Sequence, residues 1–417
     1  MKTVLVIGSG GRCHAIVEQL SQSPKVGKIF AAPGNAGIAQ KAECVAIGDT
    51  EMDKLLAFAQ NNAVDLTVVG PEIPLSMGIA DKFAAAGLRI FGCTQAAARI
   101  ESSKEFAKDL MKRYAIPTAT YEVFDDYTTA LAYTQNLPLP VVLKYDGLAA
   151  GKGVVVAATR NEVQATLRAM LQDRKFGAGR VVIEEFLDGI EFSFMCFVNG
   201  SKVFPMELAQ DHKRAYDGDK GPNTGGMGAY SPLPFISQAD GDFALTHIMQ
   251  KTARALVSEG CPFCGILYGG LIKTAQGIKV IEFNARFGDP ETEVVLPRLT
   301  SDLYDIFNDV IDGKTPVITW NQQVALGVVL ASKGYPDSYD KGFEIAGLDK
   351  VQAQVFHMGT RCDGARLLTN GGRVLFVTVL ADTVAQAQNK VLAEVQKIDC
   401  SHLFYRKDIG WQAKTTE

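Results

Sequence analysis

Glu282, Asn284 and Arg286 stand at alternate positions in the run Gly277-Ile278-Lys279-Val280-Ile281-Glu282-Phe283-Asn284-Ala285-Arg286-Phe287-Gly288-Asp289-Pro290-Glu291. From Ile278 to Phe283 the run has the β-branched and aromatic composition of a strand, and Gln276-Gly277 before it suits a hairpin turn. The pattern stops at Gly288-Asp289-Pro290. Alternate side chains of a strand share a face, so two hard oxygens point one way, the continued alternation adds a guanidinium, and Ile281 and Phe283 point toward packing. A carboxylate and an amide oxygen on one strand suit Mg²⁺, which takes one or two protein ligands and leaves its other positions to water and phosphate. Taken alone, Glu-x-Asn is more often the polar face of an edge strand. A nucleotide-phosphate site needs cations and a phosphate cradle elsewhere in the chain.

Such cations occur upstream. Val141-Val142-Leu143-Lys144 reads as a short strand delivering a lysine, followed by Gly147-Leu148-Ala149-Ala150-Gly151-Lys152-Gly153 and the strand Val154-Val155-Val156. Small residues between two strands let backbone close over a ligand, and Lys144 and Lys152 carry charge suited to phosphates. A second strand follows Lys152 and no Ser or Thr does, so this is a Gly-rich hairpin lid and not a Walker A loop. Ser102-Ser103-Lys104-Glu105 fits a capping box, and it puts Lys104 in a first helical turn, where a cation opposes the helix dipole unless an anion sits nearby. Val181-Val182-Ile183-Glu184-Glu185-Phe186-Leu187 is an apolar strand ending in acids, then Asp188-Gly189 and Glu191. Backbone at such a strand end can read an adenine edge, and a carboxylate such as Glu191 can accept both ribose hydroxyls. Asp211-His212-Lys213-Arg214 and the Gly-rich 221-228 stretch make a long polar passage, of the kind that is usually functional or disordered. His212 has no ligand-spaced partner and reads as a positioning or packing residue.

The N-terminal hundred or so residues alternate strands and helices, which implies a parallel, doubly wound sheet with ligands at the carboxyl ends of its strands. Three turns fall at such ends: Gly8-Ser9-Gly10-Gly11-Arg12, Pro33-Gly34-Asn35 and Gly70-Pro71-Glu72. The first resembles a dinucleotide fingerprint, but Cys13 replaces its third glycine, and the second strand ends without an acid for a ribose hydroxyl, so a nicotinamide dehydrogenase is disfavoured. From about Val324 a last region has strands at Leu326-Ala331 and Val374-Leu380 and carries no obvious chemistry of its own.

The 417 residues, 47% hydrophobic and 21% charged, have an ordinary globular composition. A net charge of -4 offers no basic surface to nucleic acid or an anionic membrane. The opening apolar run is too short for a signal peptide, and no segment approaches a membrane span, so a cytosolic protein is expected. Eight scattered cysteines predict reduced thiols, and Cys261-Pro262-Phe263-Cys264, lacking a second pair, is weak for zinc.

In order along the chain, the lysine strand with its Gly-rich loop, the acidic hinge near Glu185 and the Glu-Phe-Asn strand resemble the ATP-grasp superfamily. Gly8 to Arg12, Pro33 to Gly37, Lys144 to Gly153, Gln210 to Pro232 and Ile281 to Thr292 resemble, within it, the glycinamide ribonucleotide synthetase family. The resemblance implies an α/β fold: a doubly wound N-terminal domain over 1-101, an ATP-grasp core over 102-324 with an inserted lid at about 122-191, and a small α+β C-terminal domain over 325-417. It implies ATP-dependent joining of glycine to 5-phosphoribosylamine in purine biosynthesis, with ATP and Mg²⁺ (or Mn²⁺), in a monomer. By the same resemblance Lys104, Lys144, Gly147, Gly151, Lys152 and Gly153 hold phosphates, Glu184, Glu185, Phe186 and Leu187 meet adenine, and Glu191 the ribose. Glu282 and Asn284 hold metal. Gly10, Gly11, Asn35, Glu72 and Asp289 face the phosphoribosylamine, and Arg286, Asp211, Lys213 and Arg214 orient glycine and the transferred phosphoryl group. Two departures stand out: Cys13 where the family usually has Glu, and Cys93 where it usually has Pro. Loss of that carboxylate would bear on the phosphoribosylamine and leave the ATP half untouched. A different ATP-grasp ligase, or a nucleotide-binding regulator that has lost catalysis, are the other readings; glycine-dependent ADP release separates them.

Overall fold

The computed structural model describes residues 1–147 and 153–414. Its first sheet comprises β1 (Lys2–Gly8), β2 (Val26–Pro33), β3 (Glu43–Cys44), β4 (Leu66–Val69) and β5 (Ile90–Phe91), parallel and in the order β3-β2-β1-β4-β5. Val4, Leu5, Val6 and Ile7 are wholly buried, because a central parallel strand is covered by helices on both faces. The chain order reverses between β1 and β4, so a crevice opens beyond their carboxyl ends. The Gly8 to Arg12 turn, the start of helix α1 (Gly11–Ser21) and Glu72 border it.

Two antiparallel sheets follow. β6 (Tyr121–Phe124), β7 (Val141–Tyr145), β8 (Val154–Ala157) and β9 (Val181–Glu185) form one, in the order β6-β9-β7-β8. It carries its own apolar cluster, which includes Val141, Leu143, Val163, Leu167 and Ile183. The other has the order β11-β10 and then the strands Cys264–Thr274 and Gly277–Asn284, with β10 being Ile190–Asn199 and β11 Lys202–Pro205. The helix after Ser102 begins at Lys104, with Ser103 as its cap: the Ser103 hydroxyl accepts from the Phe106 N–H at 3.1 Å. The capping box expected there is not formed, since Glu105 falls at the second helical position instead of the third, and its carboxylate pairs with Arg180.

The last sheet departs most from the sequence reading. Its long strands are Val324–Ser332 and Arg373–Ala381, and Gln210–Asp211 and Gly228–Ser231 join them, the latter antiparallel to Val324–Ser332. Both ends of the Gly-rich passage are therefore strands, and Arg214–Tyr216 with Lys220–Asn223 makes a hairpin between them. The turn chemistry of its glycines hid two short pairings that depend on distant partners. No described helix is long and apolar enough to cross a membrane, and all eight cysteines are unpaired.

Candidate functional site

The strand Gly277–Asn284 delivers Glu282 into a ring of cations. Burial pushes the Glu282 carboxyl up, but Lys213, Lys144, Lys104 and Arg286 around it outweigh burial and hold its pKa below the ordinary carboxylate range. Asn284 is buried, and its Oδ1 accepts from Arg286 Nη2 at 3.2 Å. Arg286 Nε lies 3.1 Å from Glu101 Oε1 and 3.2 Å from Glu72 Oε2, so this guanidinium ties the strand to the mouth of the first sheet. The two-residue alternation thus brings Glu282, Asn284 and Arg286 to one place, as the strand period requires.

The lysines come from two other elements. Lys104 Nζ donates to the Gly147 carbonyl at 2.9 Å, and its backbone N–H donates to Asp146 Oδ1 at 2.5 Å. Lys144, on β7, donates to the Ile281 carbonyl at 2.9 Å and pairs with Glu184 Oε1 at 3.0 Å. Gly147 has φ +147°, a conformation that favours glycine, and the Gly153 carbonyl accepts from the Tyr145 N–H at 2.8 Å. Gly151 and Lys152 lie outside the described residues.

Glu184 corrects the sequence reading. Its carboxylate is buried between Lys144 and Lys108, whose Nζ is 2.8 Å from Glu184 Oε2, so it holds lysines and does not meet a base. The strand period explains this: Glu184 and Glu185 point to opposite faces of β9. Glu185 accepts from the Thr120 N–H at 3.0 Å, Phe186 is exposed, and the chain runs through Leu187, outside any strand, to β10. Glu191 Oε2 pairs with Lys213 at 2.9 Å.

Asp211 and Lys213 face this crevice, but Arg214 does not. Arg214 is exposed, and its guanidinium donates to the Gly221 carbonyl within its own hairpin. His212 faces away too: its Nε2 meets Gln412 Oε1 at 2.9 Å and the Gly410 N–H at 3.2 Å, fixing the C-terminal segment as a positioning residue would. Asp211 Oδ1 is buried with no hydrogen bond among the described residues, and burial followed by the nearby Glu291 raises its carboxyl well above the usual range.

Around the mouth of the first sheet a second cluster forms. Asp289 pairs with Arg373 at 2.9 Å and Arg12 at 3.5 Å; burial pushes its carboxyl up, and these two guanidinium groups bring it below the ordinary value. Glu72 is likewise held low against burial by Arg12 and Arg286. A Cβ on Gly10 would stand 3.3 Å from Asp289 Oδ2, so the turn and the acid are neighbours. Asn35 does not offer its side chain to a ligand. Its Nδ2 donates to the Ser9 and His357 carbonyls, both at 2.7 Å, and its Oδ1 accepts from Gly37 and Ile38, so it pins the turn to the C-terminal sheet. Cys13 is buried with its thiol pushed up to about 12 by burial, and Cys93 is a buried thiol near the Ala285 carbonyl.

Sequence reasoning missed Glu101, Lys108, Arg373 and the buried Ser193–Tyr268–Glu291 set, whose hydroxyls both donate to Glu291 Oε1 at 2.8 Å. No local motif marks them; only their chain-distant partners do. Among the described residues no group of three His, Cys, Asp or Glu side chains could form a protein-only metal cage. Glu282 and Asn284 are two hard oxygen donors beside three lysines, which fits an ion shared with phosphates.

The models of phosphoribosylglycinamide synthetase match in three parts: N domain over 2–101, ATP-grasp (A) domain over 102–292 and C domain over 325–412. The chain is 55% identical to a phosphoribosylamine–glycine ligase of Halalkalibacterium halodurans over 98% of this chain and 97% of that one. It is 50% identical to the same enzyme of Streptococcus pneumoniae over 98% and 99% of the two chains. The solved phosphoribosylamine–glycine ligase of Thermotoga maritima superposes with a TM-score of 0.86 at 32% identity, covering 98% of this chain and 100% of that one. Biotin carboxylase of Campylobacter jejuni, solved as a beta-gamma-ATP complex, shares the fold at a TM-score of 0.74 and 14% identity, covering 98% and 93% of the two chains.

Proposed function

This chain belongs to the phosphoribosylglycinamide synthetase family, and from that premise we propose which of its side chains carry each part of the reaction. The enzyme is an ADP-forming carbon–nitrogen ligase. Glycine's carboxylate takes the γ-phosphoryl group of ATP to give glycyl phosphate, and the amine of 5-phosphoribosylamine displaces phosphate, leaving glycinamide ribonucleotide, ADP and phosphate. The ATP is needed because oxide is a poor leaving group at neutral pH, and no covalent enzyme intermediate is required.

One observation carries the assignment of roles: a carboxylate, Glu282, surrounded by Lys104, Lys144, Lys213 and Arg286. Phosphoryl transfer asks a protein for positioning and charge neutralisation more than for a nucleophile, and a ring of cations around one carboxylate supplies both. Lys104 and Lys144 take phosphate oxygens, and by the family resemblance Gly147, Gly151, Lys152 and Gly153 serve the same phosphates. Glu282 and Asn284 would hold magnesium, or manganese as a similarly hard ion; the ion when bound neutralises phosphate charge during transfer. The backbone from Glu185 to Leu187 reads adenine, and Glu191 accepts from the ribose. Arg286, Asp211 and Lys213 orient glycine and the moving phosphoryl group. Gly10, Gly11, Glu72 and Asp289 receive the phosphoribosylamine, and lid closure over about 122-191 keeps water from the acyl phosphate. The enzyme works as a cytoplasmic monomer divided near 101 and 324, a reading supported by its unpaired cysteines and by the ends of the matched domains.

The test is ADP release with Mg²⁺-ATP and freshly made phosphoribosylamine, with glycine present and then omitted. Dependence on both substrates, with glycinamide ribonucleotide as product, is expected; ATP binding without glycine-dependent turnover would sink the reading.

A further inference from the structure

Glu293 is wholly buried, and neither of its carboxylate oxygens takes a hydrogen bond among the described residues. A buried carboxylate in that condition is costly to a fold and is usually found where a ligand completes it. Its position is specific. Glu293 Oε1 lies 2.2 Å from where a Cβ on Gly11 would stand, and Met358 Cγ is 3.1 Å from the same point. Only a glycine in the first turn of α1 lets the carboxylate come this close to the backbone.

The motif lacks a carboxylate at position 13, and the thiol there does not replace it. Cys13 Sγ turns into a slot between Gly8 and Gly70, 2.4 Å and 2.3 Å from their would-be Cβ atoms, and donates to the Ile7 carbonyl. Glu293 therefore puts a carboxylate beside the same helical turn, at Gly11.

The groups around Glu293 sort the two ends of the substrate. Arg12 and Arg373 offer donors, which suit a phosphate dianion; Asp289 and Glu293, whose carboxyl burial and then Asp289 push well above the usual range, offer oxygen acceptors, which suit the amine and the ribose hydroxyls, the donors that phosphoribosylamine possesses. We propose that Glu293 is a binding residue for phosphoribosylamine, accepting a hydrogen bond from its amine or a ribose hydroxyl beside Gly11. The flexible Met358 side chain gives way to admit it. This inference rests on the function given above.

Glu293→Gln keeps the volume and replaces one acceptor oxygen by an NH2 donor. It should raise KM for phosphoribosylamine about tenfold or more while KM for ATP and for glycine changes less than about twofold. Glu293→Asp, which keeps the carboxyl but withdraws it, should fall between. Cys13→Glu combined with Glu293→Gln returns a carboxylate to the same helical turn and should recover part of the loss. Inhibition by ribose 5-phosphate identifies the donor: weakened inhibition in Glu293→Gln assigns the hydroxyls, and unchanged inhibition assigns the amine. An unchanged KM for phosphoribosylamine in Glu293→Gln overturns the proposal, as does a parallel rise of all three KM values, which a structural role would give. The wild-type enzyme is measured first; if its ADP release needs no phosphoribosylamine, the functional reading has failed and this inference falls with it.

Discussion

The crevice around Glu282 and the mouth of the first sheet solve opposite electrostatic problems. In the first, three lysines and an arginine converge on one carboxylate, Glu282, and three of those cations also hold other carboxylates, Lys144 that of Glu184, Lys213 that of Glu191 and Arg286 those of Glu72 and Glu101. In the second, Asp289, Glu293 and Glu72 stand against Arg12 and Arg373, near balance, with one carboxylate still without a hydrogen-bond donor. Arg286 belongs to both, since it touches Asn284 on one side and Glu72 and Glu101 on the other. The contrast teaches that the first region gathers its cations around a single carboxylate, while the second sets carboxylates and guanidinium groups against one another in pairs.

The comparison can be broken most severely at the buried centre of the cationic side. Lys108→Met leaves Glu184 with Lys144 alone in a site where both partners are buried, and removing one member of such a set should cost about 3–5 kcal/mol of stability, read by urea unfolding. A loss below about 1 kcal/mol would show that Lys144 alone satisfies Glu184. Glu282→Ala should lower kcat on the order of a hundredfold or more, about 3 kcal/mol, even at saturating Mg²⁺. Near-normal turnover would remove the metal role from Glu282.

The junction of the first and last sheets has an acid sensitivity of its own. His14 accepts the His357 N–H at 2.8 Å across the junction of the first and last sheets. Burial, aided by His357, lowers the His14 pKa to about 3, and burial lowers that of His357 to about 4. Both stay neutral in the fold while an unfolded histidine protonates near its ordinary value, so stability is full above that value and falls as pH drops below it. From pH 7 to pH 5 each should cost about 2 kcal/mol, and His14→Asn should flatten its share of the slope. Unfolding curves at the two pH values decide this. The smallest effect is expected from Arg214→Ala, whose exposed side chain reaches only its own hairpin: kcat and each KM should stay within about twofold.

The alternation of Glu282, Asn284 and Arg286 was legible because a strand period needs no distant information. The apolar run of β1 and the glycine turn after it were legible for the same reason. What escaped was decided by partners far along the chain. Lys108 reads as an ordinary helix lysine until Glu184 is placed beside it, and Arg373 reads as the first residue of an apolar strand until Asp289 arrives. Glu184 and Arg214 were misread because they were taken with their neighbours as one acidic or basic patch, while the strand period and a hairpin turned them elsewhere.

The strand Gly228–Ser231 sets a limit on how this protein can be divided. It pairs with Val324–Ser332, so a chain cut just before residue 324 would expose a row of unpaired backbone groups on the very segment that carries Asp211 and Lys213. Exchange of the last region between relatives, or its expression from a separate gene, would have to rebuild that sheet across the new joint. The C-terminal part is thus not a detachable cover; it is a template on which part of the cation-lined crevice is laid down.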